Sequence, residues 1–218
     1  MTFHAIGNSH SSFLSGQDKI IPAGCHNQDK LPGFKTWTLG PVIAYNFYEH
    51  HLPGVLDICE KHIDKNNDYL MLMVGEVDTR WHIPFQARKQ ETSKYKVALE
   101  CFNRYFESLI YLRDQGYKVF VWGSHPGTNE GHCENLDRPV FGAVEERNKI
   151  GLYWDMLCSD YAFREGIGYA SIFRELLNDD YTTKMEYMMD YCHLSQKALP
   201  LALAALEKGI IEYKRPLV

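Results

Sequence analysis

Asp68-Tyr69-Leu70-Met71-Leu72-Met73-Val74-Gly75 is a nearly unbroken apolar run of strand length. A strand with one wet face alternates apolar and polar residues. A strand covered on both faces reads apolar throughout, as strands of parallel sheets do. Tyr117-Lys118-Val119-Phe120-Val121-Trp122-Gly123 has the same character. Phe3 to Gly7 and Phe34-Lys35-Thr36-Trp37-Thr38-Leu39-Gly40 read as two earlier strands, and Tyr169-Ala170-Ser171-Ile172-Phe173 as a weaker fifth.

Helix-length segments separate these runs. Ser93 to Gln115 carries Val97, Cys101, Tyr105, Leu109 and Leu112 near a 3.6 period, with Gly116 as its stop. Phe141 to Arg164 carries Val144, Ile150, Trp154, Leu157 and Tyr161. Ala198 to Lys208 closes the chain before Gly209, and Pro200 belongs in its first turn. Strands alternating with helices predict βαβ units and a mainly parallel sheet with helices on both faces. The expectation is one α/β domain over residues 1–218, with Ser124 to Pro139 as a polar loop above the ligand-binding edge.

Composition narrows the function. The 218 residues are 45% apolar and carry a net charge of −5, with no long basic run, so a nucleic-acid surface is not expected. Six widely spaced cysteines without a C-x-x-C pair read as reduced thiols. The chain start has no basic segment followed by an apolar one, and no run reaches the roughly 20 residues of a membrane span. A soluble cytoplasmic protein is the expectation; its oligomeric state is not specified.

Three polar clusters fall where strands should end: Gly7-Asn8-Ser9-His10, Gly75-Glu76-Val77-Asp78-Thr79-Arg80-Trp81-His82, and Asp190-Tyr191-Cys192-His193. A serine hydroxyl becomes a nucleophile when an imidazole takes its proton and a carboxylate orients that imidazole. Ser9, His193 and Asp190 supply the three groups. Ser9 as a helix N-cap is the competing reading. Glu76, Asp78 and Arg80 read equally as substrate contacts or as an ion-pair network that orders their loop. The segment His125…Glu130-Gly131-His132-Cys133 lacks zinc-type spacing and reads as a lid.

In these clusters the chain resembles the SGNH (GDSL-type) hydrolases. Gly7-Asn8-Ser9 stands where that family has Gly-Asp-Ser, and Asp190-x-x-His193 matches its carboxy-terminal block. Leu39-Gly40-Pro41 is similar to the second block, and Gly75-Glu76-Val77-Asp78 stands at the third, usually Gly-x-Asn-Asp. The resemblance implies a three-layer α/β/α sandwich on a flavodoxin-like five-stranded sheet. It also implies a serine esterase with catalytic Ser9, Asp190 and His193, an oxyanion hole from the backbone of Ser9 and Gly40, and no cofactor or metal.

The third block departs from the pattern, because Val77 replaces the asparagine whose amide is a third oxyanion donor. Losing one such donor typically costs roughly 10²–10³ in rate. Glu76, Asp78, Arg80 and His82 are then expected to bind substrate or order the loop, with Arg80 or His82 as a replacement donor or Arg80 as an anion clamp. The Gly-Glu-x-Asp-x-Arg variant resembles a subgroup whose members often accompany glycan-modifying genes. The expected substrate is a short acyl ester, on a small molecule or a glycan. Glycan acyl transfer and non-catalytic glycan binding are alternatives. A metal-dependent hydrolase built on Asp78, His82 and the 125–133 loop is a third.

Overall fold

The computed structural model describes residues 1–24, 30–128 and 140–214. Strands β1 (Phe3–Gly7), β2 (Phe34–Thr38), β3 (Tyr69–Met73), β4 (Lys118–Trp122) and β5 (Gly168–Ala170) form one sheet in the order β2-β1-β3-β4-β5. Every pairing is parallel, with Ile6 opposite Trp37 on one side and Leu72 on the other. This is the flavodoxin-like order, and its switch point lies between β1 and β3, where neighbouring connections leave in opposite directions.

The helices are α1 (Phe47–His50), α2 (Leu52–His62), α3 (Ile83–Lys89), α4 (Lys94–Asp114), α5 (Val144–Glu165) and α6 (Leu199–Tyr213). The Asp68–Gly75 apolar run is divided between two cores. Leu70 and Leu72 face a core built with residues of α1 to α5, including Phe102, Tyr105 and Trp154. Tyr69, Met71 and Met73 face a second core with Phe13, Leu14, Leu194, Ala202 and Leu206. Period-2 alternation therefore sends an unbroken apolar sequence into two dry layers, giving an α/β/α sandwich.

The expected strands all form; β1 has its predicted bounds, and the other four end earlier than predicted. β2 stops at Thr38 and β3 at Met73, and β5 covers Gly168–Ala170 instead of reaching Phe173. Ser171 Oγ accepts from Phe173 N–H, a local turn bond that competes with the ladder. α4 matches its prediction, with Ser93 as N-cap to Tyr95 N–H. α5 starts at Val144, because residues 141–143 run non-helically and Gly142 takes φ +79°.

Gly209 does not stop the last helix, which continues to Tyr213. A Cβ on Gly209 would lie 2.2 Å from the Tyr169 carbonyl oxygen, so the missing side chain lets α6 lie directly on β5. Pro200 falls in the first helical turn, as expected. Helices α1, α2 and α3 are additions that the sequence reading did not assign. Among the described residues no helix is long and apolar enough to cross a membrane.

Candidate active site

The end of β1 carries the first piece of the site. A Cβ on Gly7 would stand 2.1 Å from the Met73 carbonyl oxygen, so only glycine allows β1 and β3 to end this close together. The chain then enters a 3₁₀ turn over Ser9–Ser15. Asn8 is its N-cap, with Oδ1 accepting from His10 N–H at 3.1 Å. The cap reading therefore belongs to Asn8, which leaves the Ser9 hydroxyl for another partner. Ser11 Oγ donates to the carbonyl of Asn8 and lies within 3.2 Å of that of Trp37, pinning the turn against the end of β2. Ser12 Oγ accepts from Ile21 N–H at 2.9 Å.

The second piece comes from the opposite end of the chain. An antiparallel bridge between Met188 and Leu194 closes a short loop. Within it, Asp190 Oδ1 accepts from the backbone N–H groups of Cys192 (2.8 Å) and His193 (2.7 Å). Its other oxygen, Oδ2, is 2.7 Å from His193 Nδ1. Burial pushes the Asp190 carboxyl upward, but the hydrogen bonds from His193 and the two backbone groups outweigh it and hold the group at about 2. An ionised Asp190 accepts from His193 Nδ1–H, and in the neutral imidazole this leaves Nε2 as the acceptor. That nitrogen lies 2.7 Å from Ser9 Oγ. Ser9, His193 and Asp190 are thus joined in a line across 184 residues of sequence.

The two pieces are tied together directly. Gln196 Nε2 donates to the carbonyls of Phe13 (2.8 Å) and Gln17 (3.2 Å), and Gln196 N–H donates to Asp18 Oδ1. Thr128 N–H and Oγ both reach the Tyr191 carbonyl, so the chain after β4 also braces the Asp190–His193 loop. The turn with Gly40 is attached next to the serine: Leu39 N–H donates to the Gly7 carbonyl at 2.7 Å.

The Gly75–His82 cluster divides. Asp78 turns to the loop after Gly40, where both its oxygens lie within 3.0 Å of Ala44 N. Burial raises its carboxyl to about 7 against the opposing backbone hydrogen bonds of Ala44 and Tyr45. His82 packs against the Tyr45 ring at 5.3 Å, and burial lowers its pKa. Glu76 takes the opposite course and turns toward the serine end of β1. Its Oε1 accepts from Arg80 Nε at 2.7 Å, and its Oε2 lies 3.1 Å from His10 Nε2. Despite full burial, which favours the neutral acid, the Arg80 charge and the His10 hydrogen bond hold Glu76 well below the usual carboxylate range.

Sequence reasoning missed the partners of this pair. His10 Nδ1 is 2.9 Å from His125 Nδ1, and His125 Nε2 accepts from Trp122 Nε1 at 2.7 Å. His125 thereby leaves the lid to which the sequence assigned it, while His132 and Cys133 lie outside the described residues. The available signal was position: Trp122 ends β4 and His10 follows Ser9, so both reach the carboxyl edge of the sheet.

Among the described residues, the one group with converging metal-type donors is His10, Cys192 and His193, within 4.8 Å of one another. All four ring nitrogens are already in hydrogen bonds, and burial pushes the Cys192 thiol far up, away from the thiolate a metal needs. Among the described residues, Asp78 and His82 do not join this group.

No protein-family model and no curated protein matches the chain in sequence. Solved structures match in fold. A GDSL-like lipase from Bacteroides thetaiotaomicron superposes with a TM-score of 0.58 over 97% of this chain and 88% of that one, at 13% identity. An acetyl xylan esterase gives 0.54 over 96% and 100%, at 14% identity. Phospholipase A1 from Streptomyces albidoflavus gives 0.52 over 95% and 98%, at 12% identity. The α/β/α sandwich of this chain is therefore the fold of the SGNH hydrolases.

Proposed function

We propose that the chain is a serine esterase of the SGNH kind, acting on a short acyl ester through an acyl-enzyme. The observation that carries this reading is the Ser9–His193–Asp190 line, with both of its hydrogen bonds at 2.7 Å. Ser9 Oγ attacks the ester carbonyl carbon as His193 Nε2 takes the hydroxyl proton. Asp190 holds the imidazole in the required tautomer and stabilises the imidazolium. The tetrahedral intermediate collapses, and the alcohol leaves with the proton from His193. Water, activated by the same imidazole, then releases the acid. A sugar hydroxyl in place of that water would give acyl transfer by the same steps.

The carbonyl oxygen, which gains negative charge in the tetrahedral intermediate, is assigned to the backbone N–H groups of Ser9 and Gly40. The Leu39–Gly7 hydrogen bond and the Asp78–Ala44 contact support this, since they hold the Gly40 turn from both sides. The acyl group is taken as acetyl or similarly short and the alcohol as a carbohydrate; the acetyl xylan esterase among the fold relatives supports that choice.

The test is hydrolysis of p-nitrophenyl acetate by wild type and by Ser9→Ala at matched folding. Loss of turnover by a factor of roughly 10⁴–10⁶ in the variant is expected, together with labelling of wild-type Ser9 by a serine-reactive phosphonate. Turnover that survives the substitution would refute the nucleophile. If neither turnover nor labelling occurs, the scaffold is a ligand-binding domain.

A further inference from the structure

The hydrogen bonds beneath the proposed site run in one direction only. An indole N–H can donate but not accept, so His125 Nε2, at 2.7 Å from Trp122 Nε1, must be the acceptor and carry no proton. A neutral His125 then bears its proton on Nδ1 and donates it to His10 Nδ1. That leaves the His10 proton on Nε2, aimed at Glu76 Oε2, whose other oxygen already accepts from Arg80. Each gap holds one proton. A second proton on His10 would set two donors face to face at 2.9 Å, so His10 cannot become a cation while His125 keeps its bond to Trp122.

This matters because of where the His10 ring lies. It sits against the His193 ring, with centroids 4.8 Å apart and planes 30° from parallel. The charged and titratable groups around His10 are Glu76 and Arg80 beyond β3, His125 beyond β4, and His193 with Cys192 in the carboxy-terminal loop. Arg147 of α5 interacts electrostatically with Glu76 and Arg80, and Asp190 lies behind His193. A carboxylate 3.1 Å away would ordinarily draw a proton onto an imidazole.

We propose that His125 and Trp122 form a tautomer lock that keeps His10 neutral, making His10 a positioning residue against which the His193 imidazolium forms without a neighbouring cation. The inference rests on the reading of Ser9 and His193 as nucleophile and base. Burial favours the neutral form of both His10 and His125, in agreement with the lock.

The first test needs no substrate. In wild-type protein with ¹⁵N-labelled histidine, His10 is expected as the Nε2–H tautomer and His125 as the Nδ1–H tautomer, with no titration of His10 between pH 5 and 8. Titration of His10 in that range, or a proton on its Nδ1, would overturn the lock even if the esterase reading stands. Conversely, a protein without esterase activity but with the expected tautomers would refute the function and keep the lock.

The second test is kinetic. Leucine in His125→Leu offers His10 no donor, so His10 should titrate. The acid limb of kcat/KM should then steepen from about tenfold to about a hundredfold per pH unit. Glutamine in His125→Gln can accept from Trp122 and donate to His10, and it should restore the tenfold slope. A folded His125→Leu protein with the wild-type slope would also overturn the proposal.

Discussion

His193 has a hydrogen-bond partner on each ring nitrogen and a neutral ring against one face, so its orientation depends on three residues at once. Asp190 is the partner whose replacement is most informative. Asp190→Asn preserves size and an acceptor for the two backbone N–H groups, yet its amide can pair with the wrong tautomer of His193. The expected outcome is a fall in kcat by roughly 10⁴ with little loss of stability, measured on p-nitrophenyl acetate beside a thermal melt. Since wild-type Asp190 is held at about 2, it stays ionised through the range where esterases are assayed. Ser9, His193 and Asp190 were legible in the sequence as one candidate cluster because reactive side chains stood where strands end. The partners of Glu76 were not, because a buried histidine reads the same whether it packs, binds metal or relays a hydrogen bond.

The loops at the carboxyl edge owe their shape to side chains borrowed from neighbouring elements. Asp78 follows β3, yet it satisfies the N–H of Ala44 in the loop beyond β2. Its carboxyl is raised to about 7, against about 3.9 in an unfolded chain. The folded state therefore binds more protons than the unfolded state between about pH 4 and 7, and stability falls as pH rises through that window. The three-unit difference corresponds to on the order of 4 kcal/mol. An amide at this position does not titrate. In urea titrations, Asp78→Asn should lose its stability deficit relative to wild type by about that amount between pH 4 and pH 8; a constant difference would refute the linkage. Gly209 teaches a related lesson about elements. A glycine near a helix end reads as a stop, but here close contact with β5 requires it, and only the packed sheet reveals that.

At the scale of the whole molecule, the proposed nucleophile stands at the start of the chain and the base near its end, and the sheet joins them. Gln196 is a direct strap between the two regions, through Phe13, Gln17 and Asp18. Gln196→Ala keeps the bond from its backbone N–H and loses two side-chain bonds. The expected cost is about 1–2 kcal/mol of stability and about a tenfold drop in kcat/KM as the His193 loop loosens, measured by chemical denaturation and ester hydrolysis. An unchanged rate would mean that the loop is positioned by its own bridge alone. The apolar runs of β3 and β4 by themselves determined a sheet buried on both faces, since exposed strands cannot be apolar throughout. The placement of the polar clusters after strands pointed to the carboxyl edge of the sheet, where Ser9, His193 and Asp190 meet. Strand order, the division of β3 between two cores, and the Trp122–His125–His10–Glu76–Arg80 chain were decided only by the tertiary structure. Local sequence encodes period and propensity, whereas the direction of a buried hydrogen bond depends on donors that only folding brings within 3 Å.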